Sequence, residues 1–120
     1  MAVAGPRAVM NGAGWEEVGF SLQDLVEAKP TRASVSGQPV LLVKMGKDVY
    51  ALGNQCTHQG ASLDKGVIRI AGSVRTVTCP AHGSMFRLDD GKVMRPPASK
   101  PVPVYDVKVE DDRILIRLRE

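Results

Sequence analysis

The stretches Cys56-Thr57-His58-Gln59-Gly60-Ala61-Ser62-Leu63 and Cys79-Pro80-Ala81-His82-Gly83-Ser84-Met85-Phe86 contain every cysteine and every histidine of the chain. Each pairs one thiol with one imidazole, as Cys-x-His and then Cys-x-x-His, and 20 residues (Gln59 to Thr78) lie between His58 and Cys79. No other residues form a soft or borderline metal-ligand set. A two-iron, two-sulfide cluster needs two protein ligands per iron, and its mixed form takes two thiolates on one iron and two imidazoles on the other. Two loops that each send one ligand to each iron would be spelled this way. Zinc also accepts two Cys and two His, but its fingers pair like with like, at C-x2–4-C and H-x3–5-H spacing. A Cys56–Cys79 disulfide fits the count, although two cysteines without an export signal seldom pair. A Cys/His nucleophile–base pair would leave two of the four residues idle.

In these motifs the sequence resembles the Rieske [2Fe-2S] family, and more closely its Rieske-type ferredoxins, from about Trp15 to the C-terminus. The resemblance implies one [2Fe-2S] cluster per chain, with Cys56 and Cys79 on one iron and His58 and His82 on the other. It implies an all-β fold: an antiparallel β-sandwich base with an inserted cluster-binding lobe at about 54–97. The 20-residue gap exceeds the commonest family spacing and suggests a longer hairpin between the loops. Respiratory-type members carry an extra cysteine in each loop, joined as a disulfide. Ala61 and Ala81 stand at those positions, so stiffness must come from Pro80, the loop backbone and a proline-rich segment. Gly60, Gly83, Ser84 and Pro97 are expected around the cluster. For the glycines, close backbone approach and plain turn chemistry are both open readings. Serine at position 84 is expected to donate to a bridging sulfide. Phe86 replaces a tyrosine that raises the potential in high-potential relatives, so an intermediate potential is expected.

Composition sets the wider limits. One hundred and twenty residues suit one domain with a real core. Hydrophobic content of 43% and charge of 24% are ordinary, and the net charge is +3. With neutral imidazoles the oxidised mixed cluster is formally neutral, two units less negative than a four-thiolate one. That makes it easier to reduce, at roughly −150 to +300 mV against about −400 mV for plant-type ferredoxins. The pI near 9.1 does not argue for nucleic acid, because there is no basic run and only 4% of residues are aromatic. No stretch approaches the ~20 apolar residues of a membrane span. The N-terminus does not read as a signal peptide, so a soluble, cytoplasmic protein is expected.

Met1 to Gly14, rich in Ala and Gly, reads as a disordered tail ahead of a domain at 15–120. Trp15 to Val18 reads as a strand, followed by a helical turn capped by Ser21 and running through Leu22, Leu25 and Val26. Pro30 ends that turn. Ala33 and Val35 then alternate with Ser34 and Ser36. Gly37-Gln38-Pro39 is expected to turn into the apolar strand Val40-Leu41-Leu42-Val43. Gly46-Lys47-Asp48 turns again, into Val49-Tyr50-Ala51-Leu52. Val67–Ala71 and Val74–Thr78 read as a hairpin about Gly72-Ser73. Met85–Leu88 and Lys92–Met94 read as another about Asp89-Asp90-Gly91. The four prolines of Arg95–Pro103 exclude a regular ladder. Tyr105-Val107-Val109 and Ile114-Ile116-Leu118 alternate across Glu110-Asp111-Asp112 as closing strands. Short strands at this spacing argue for an antiparallel all-β domain. No internal repeat is evident.

The function implied is one-electron transfer from a flavin- or iron–sulfur-containing reductase to a terminal oxygenase. No nucleic acid, membrane or small-molecule substrate of its own is expected. The chain is not the oxygenase, which needs a further iron on two histidines and a carboxylate. Both histidines are already committed. The alternatives are a Rieske subunit of a larger reductase, of the nitrite-reductase small-subunit kind, and a structural zinc module. The imidazoles are expected at an exposed tip. Gln59, Pro80, Met85 and Pro96-Pro97 would form a docking face there, although core packing suits Met85 as well. Lys65, Arg87, Lys92 and Arg95 would rim it and steer an acidic partner.

Overall fold

The structure is a computed structural model and describes residues 14–119. Its strands are β1 (Glu16–Ser21), β2 (Thr31–Val35), β3 (Gln38–Met45), β4 (Asp48–Gly53) and β5 (Val67–Ala71). They continue as β6 (Val74–Thr78), β7 (Met85–Arg87), β8 (Val93–Arg95), β9 (Val104–Glu110) and β10 (Arg113–Leu118). A six-stranded sheet runs in the order β1-β10-β9-β4-β3-β2, and a four-stranded sheet in the order β5-β6-β7-β8. Neighbouring strands are antiparallel throughout. The larger sheet curls until its end strands β1 and β2 lie side by side, where Ser36 Oγ donates to Glu16 Oε1. The smaller sheet is inserted between β4 and β9.

The continuous apolar run of β3 has a packing cause. Val40 and Leu42 enter the interior of the curl with Val18, Val35, Ile114 and Ile116. Leu41, Val43 and Met45 enter a second core with Leu52, Val77, Phe86 and Leu88. A strand buried on both faces has no polar side to show, so its sequence does not alternate. β2 is covered on one face only, and Ala33 and Val35 are buried between exposed neighbours. In the four-stranded sheet the register aligns Ile68, Val77, Phe86 and Val93 in one row across all four strands. That row packs on the second core, which also contains both cysteines.

Several boundaries differ from expectation. The β2–β3 turn is Ser36-Gly37, with φ of 51° and 78°, while Gln38 and Pro39 already belong to β3. Two positive-φ residues make a tight hairpin loop whose twist suits its flanking strands. The last turn has the same form at Asp111-Asp112, φ 51° and 69°, and Glu110 stays in β9. The helical turn after β1 is a 3₁₀ turn limited to Leu22–Asp24. It is fixed by the Ser21 N–H donating to Asp24 Oδ2 at 2.9 Å. Leu25 is buried beyond it and Val26 is exposed. The expected tail at Met1–Gly14 lies outside the described residues, except for Gly14. Among the described residues no helix is long and apolar enough to cross a membrane.

Candidate metal centre

The two motifs form loops of the same shape. In the first, the Cys56 N–H donates to the Ala61 carbonyl at 2.8 Å, and the Gly60 N–H donates back to the Cys56 carbonyl at 2.7 Å. In the second, the Cys79 N–H donates to the Ser84 carbonyl at 2.7 Å, and the Gly83 N–H to the Cys79 carbonyl at 3.2 Å. Each loop therefore closes from Cys to the residue five on, with Gly at the fourth place. Gly60 and Gly83 adopt φ of 77° and 80°. A Cβ on either would meet nothing within 4 Å, so the left-handed conformation, not crowding, is what requires glycine here. This Cys-x-x-x-Gly repeat corrects the reading that no repeat is present. It was legible in the spacing, but His two residues after Cys in one copy and three residues after Cys in the other obscures it.

The loops sort their donors by depth. Cys56 and Cys79 are each 3% exposed, while His58 and His82 are exposed. The imidazole centroids are 5.2 Å apart, edge to face at 84°. Burial pushes the Cys79 thiol up, and the adjoining Cys56 sulfur pushes it further. The backbone N–H groups of Ala81 and His82 pull the other way. Those amides favour the thiolate, the form that binds metal. Among the described residues no three His, Cys, Asp or Glu side chains converge on a single-ion position. The four donors stand as a buried thiol pair and an exposed imidazole pair. That division fits a two-iron cluster with two ligands per iron better than one tetrahedral zinc.

The loops are held from outside by the proline-rich segment expected to stiffen them and by an Asn54–Asp64 lock that sequence reasoning missed. Asn54, 2% exposed, donates from Nδ2 to Asp64 Oδ1 at 2.7 Å and accepts at Oδ1 from the Asp64 N–H at 2.9 Å. It locks the start of the first loop to the 3₁₀ turn Leu63–Lys65. The segment after β8 crosses both loops: Thr57 Oγ1 donates to the Lys100 carbonyl at 2.6 Å, and the Ala98 N–H donates to Ser84 Oγ at 3.0 Å. These partners are 43 and 14 positions apart, and no sequence pattern marks them. Ser84 is fully buried and Pro97 is exposed. Phe86 is fully buried in the second core and brings no hydroxyl to the loops. Gln59, Pro80 and Pro96 are exposed as expected, and Met85 is half-buried.

The chain belongs to the family of Rieske-like [2Fe-2S] domains, whose pattern matches residues 14–117. It is a Rieske-type ferredoxin: its cofactor is a [2Fe-2S] cluster, and it carries electrons without being the catalytic enzyme. It is 36% identical over 98 residues to the 3-phenylpropionate/cinnamic acid dioxygenase ferredoxin subunit of Escherichia coli (strain K12), covering 81% of this chain and 88% of that one. The ferredoxin of carbazole 1,9a-dioxygenase from Nocardioides aromaticivorans IC177 superposes with a TM-score of 0.79 at 34% identity, over 86% of this chain and 96% of that chain. A chain in a complex of reduced oxygenase and oxidized ferredoxin in carbazole 1,9a-dioxygenase gives 0.73 at 28% identity, over 85% and 91%. A putative NADH-dependent nitrite reductase small subunit from Mycobacterium tuberculosis gives 0.77 at 26% identity, over 88% and 95%.

Proposed function

We propose that Cys56 and Cys79 bind one iron and His58 and His82 the other, within a cluster-binding lobe at about 54–97. We further propose that the protein takes single electrons from a flavin- or iron–sulfur-containing reductase in the cytoplasm and delivers them to a terminal oxygenase. The observation that carries this reading is the pair of matched loops, which bury two adjacent thiols and expose two adjacent imidazoles. The ferredoxin relatives of dioxygenase systems and the oxygenase–ferredoxin complex support the destination of the electron.

When bound, the cluster supplies a site that accepts and releases one electron. The chain's own residues do the rest. The buried cysteines keep water from the thiolate end. The loop amides and the crossing segment hold the donors still. The exposed imidazoles present the edge through which a partner exchanges electrons.

The likeness to the nitrite reductase small subunit keeps a second reading open, that of a tightly held subunit of a larger reductase. Retention of all four candidate ligands favours a working carrier. Iron and sulfide assays with electron paramagnetic resonance before and after reduction test both. Two irons and two sulfides per chain, silent when oxidised and with the low average g of a His-ligated centre when reduced, support the proposal. Zinc, or loss of Cys56 or His82 without effect on that signal, refutes it. A stable complex with a large reductase on purification supports the second reading.

A further inference from the structure

Charge is segregated along the chain. Residues 54–101 carry seven Lys or Arg against three carboxylates, whereas all other residues together carry nine against ten. The segregation is sharper in space. Arg87, expected to steer a partner, instead reaches Asp89 from Nε and Asp90 from Nη2, both at 2.9 Å, and is neutralised there. Arg75 points back to Asp48 of β4. Lys65, Arg95 and Lys100 are exposed, and among the described residues none has a carboxylate within ion-pair distance.

Each of these three cations lies on a segment that adjoins one of the two loops. The Lys100 carbonyl is bonded to Thr57, the residue before His58. Arg95 is paired with Met85 in the β7–β8 register, just past the second loop. Lys65 precedes Gly66, where an added Cβ would lie 2.0 Å from the Thr78 carbonyl oxygen, immediately before Cys79. Exposed Pro80, Ala81, Pro96 and Pro97 supply apolar surface beside the imidazoles. Asp64, just past the first loop, is held by Asn54.

We infer that the imidazole tip is a docking surface for an acidic redox partner, whose contact face is apolar at its centre and rimmed by carboxylates. The inference rests on the electron-carrier reading and specifies the partner's surface. At physiological ionic strength charges are screened over about 8 Å, so the cations beside the transfer point matter more than the net charge. Opposite fields accelerate encounter and fix orientation, and salt weakens both effects.

The test follows reoxidation of the reduced, cluster-loaded protein by hexacyanoferrate(III), a trianion, and by hexaammineruthenium(III), a trication. Each removes one electron from the protein and is itself reduced to the divalent metal. Between about 0.01 and 0.5 M salt the trianion's rate should fall roughly tenfold and the trication's should rise. Poly-L-glutamate should slow the trianion, and poly-L-lysine should not. The pair Arg95→Glu/Lys100→Glu should flatten or invert both salt trends. The pair Lys29→Glu/Lys47→Glu makes the same change in net charge beside the opposite end of the β3–β4 hairpin, and should leave the trends in place. Equal effects from the two pairs, or a trianion rate indifferent to salt and to polyglutamate, overturn the docking surface. A protein that cannot be loaded and reduced gives no rate with either probe, and that result overturns the carrier reading together with the inference.

Discussion

The Ala98 amide and the Ser84 hydroxyl oxygen are joined by a hydrogen bond of 3.0 Å, across a distance of 14 residues. An N–H lodged on one lone pair of Oγ leaves the serine's own proton free to point elsewhere. It also polarises the hydroxyl and makes it a stronger donor. Ser84 is fully buried and its carbonyl closes the second loop on Cys79. Its proton is therefore available to the centre that the loop surrounds.

Ser84→Ala should lower the reduction potential by roughly 60 mV, which for one electron equals about 1.4 kcal/mol, the scale of a hydrogen bond that strengthens on reduction. Ala98→Pro removes the orienting N–H and should lower the potential by less. In the Ser84→Ala background, Ala98→Pro should have no further effect. Protein-film voltammetry on the four proteins measures this cycle, and strictly additive shifts would show that Ala98 does not act through Ser84.

Asn54 satisfies both the backbone and the carboxylate of Asp64 from a buried position. Asn54→Ala strands both groups and should destabilise the protein by about 2–3 kcal/mol. Asn54→Asp should be at least as harmful, since it turns a carboxylate toward the Asp64 Oδ1 atom that now receives an N–H. Urea denaturation of the loaded protein reads the difference.

The glycines should separate by mechanism. Gly60→Ala and Gly83→Ala face open space and incur only the left-handed backbone penalty, about 1–2 kcal/mol. Gly66→Ala would place its Cβ 2.0 Å from the backbone oxygen of Thr78. That strand end cannot yield without moving Cys79, so a larger loss, about 3 kcal/mol or more, is expected together with lower cluster content. Thermal unfolding with iron assays distinguishes the two classes, and a Gly66→Ala protein as stable as Gly60→Ala would contradict the crowding argument.

Asp106 lies between Arg119, at 2.8 Å, and Arg117, at 3.6 Å. The hydrogen bond from Arg119, chiefly, and the charges of Arg119 and Arg117 hold its carboxyl below the usual 3.8, against the opposing effect of burial. A depressed carboxylate stabilises the fold above its unfolded-state pKa, and that contribution fades as pH falls through the folded-state value. The effect belongs to pH below about 4 and is small, because the pair is partly exposed and screened. Asp106→Asn should remove it: wild type and variant should converge in stability at low pH and in high salt.

Local chemistry is what the sequence alone determined. Thiol and imidazole spacing singled out the candidate donors, because metal ligands must be of particular types and each loop is only a few residues long. Period-two alternation and the turn residues Gly72 and Ser73 marked the hairpin of β5 and β6 to the residue, since strand pairing across a tight turn is a nearest-neighbour matter. The Asp111-Asp112 turn was placed within one residue for the same reason. The unbroken apolar run of β3 already marked a core strand, but tertiary structure alone decided which two cores its faces would enter and which cations would remain unpaired. Arg87 looked free in the sequence until Asp89 and Asp90 folded back onto it. The bonds of Ala98 to Ser84, Thr57 to Lys100 and Asn54 to Asp64 join residues with no shared periodicity. They exist because the prolines after β8 carry the chain across both loops, and because the turn after the first loop folds back on its start. Such contacts follow from where whole elements pack, and no window of neighbouring residues encodes them.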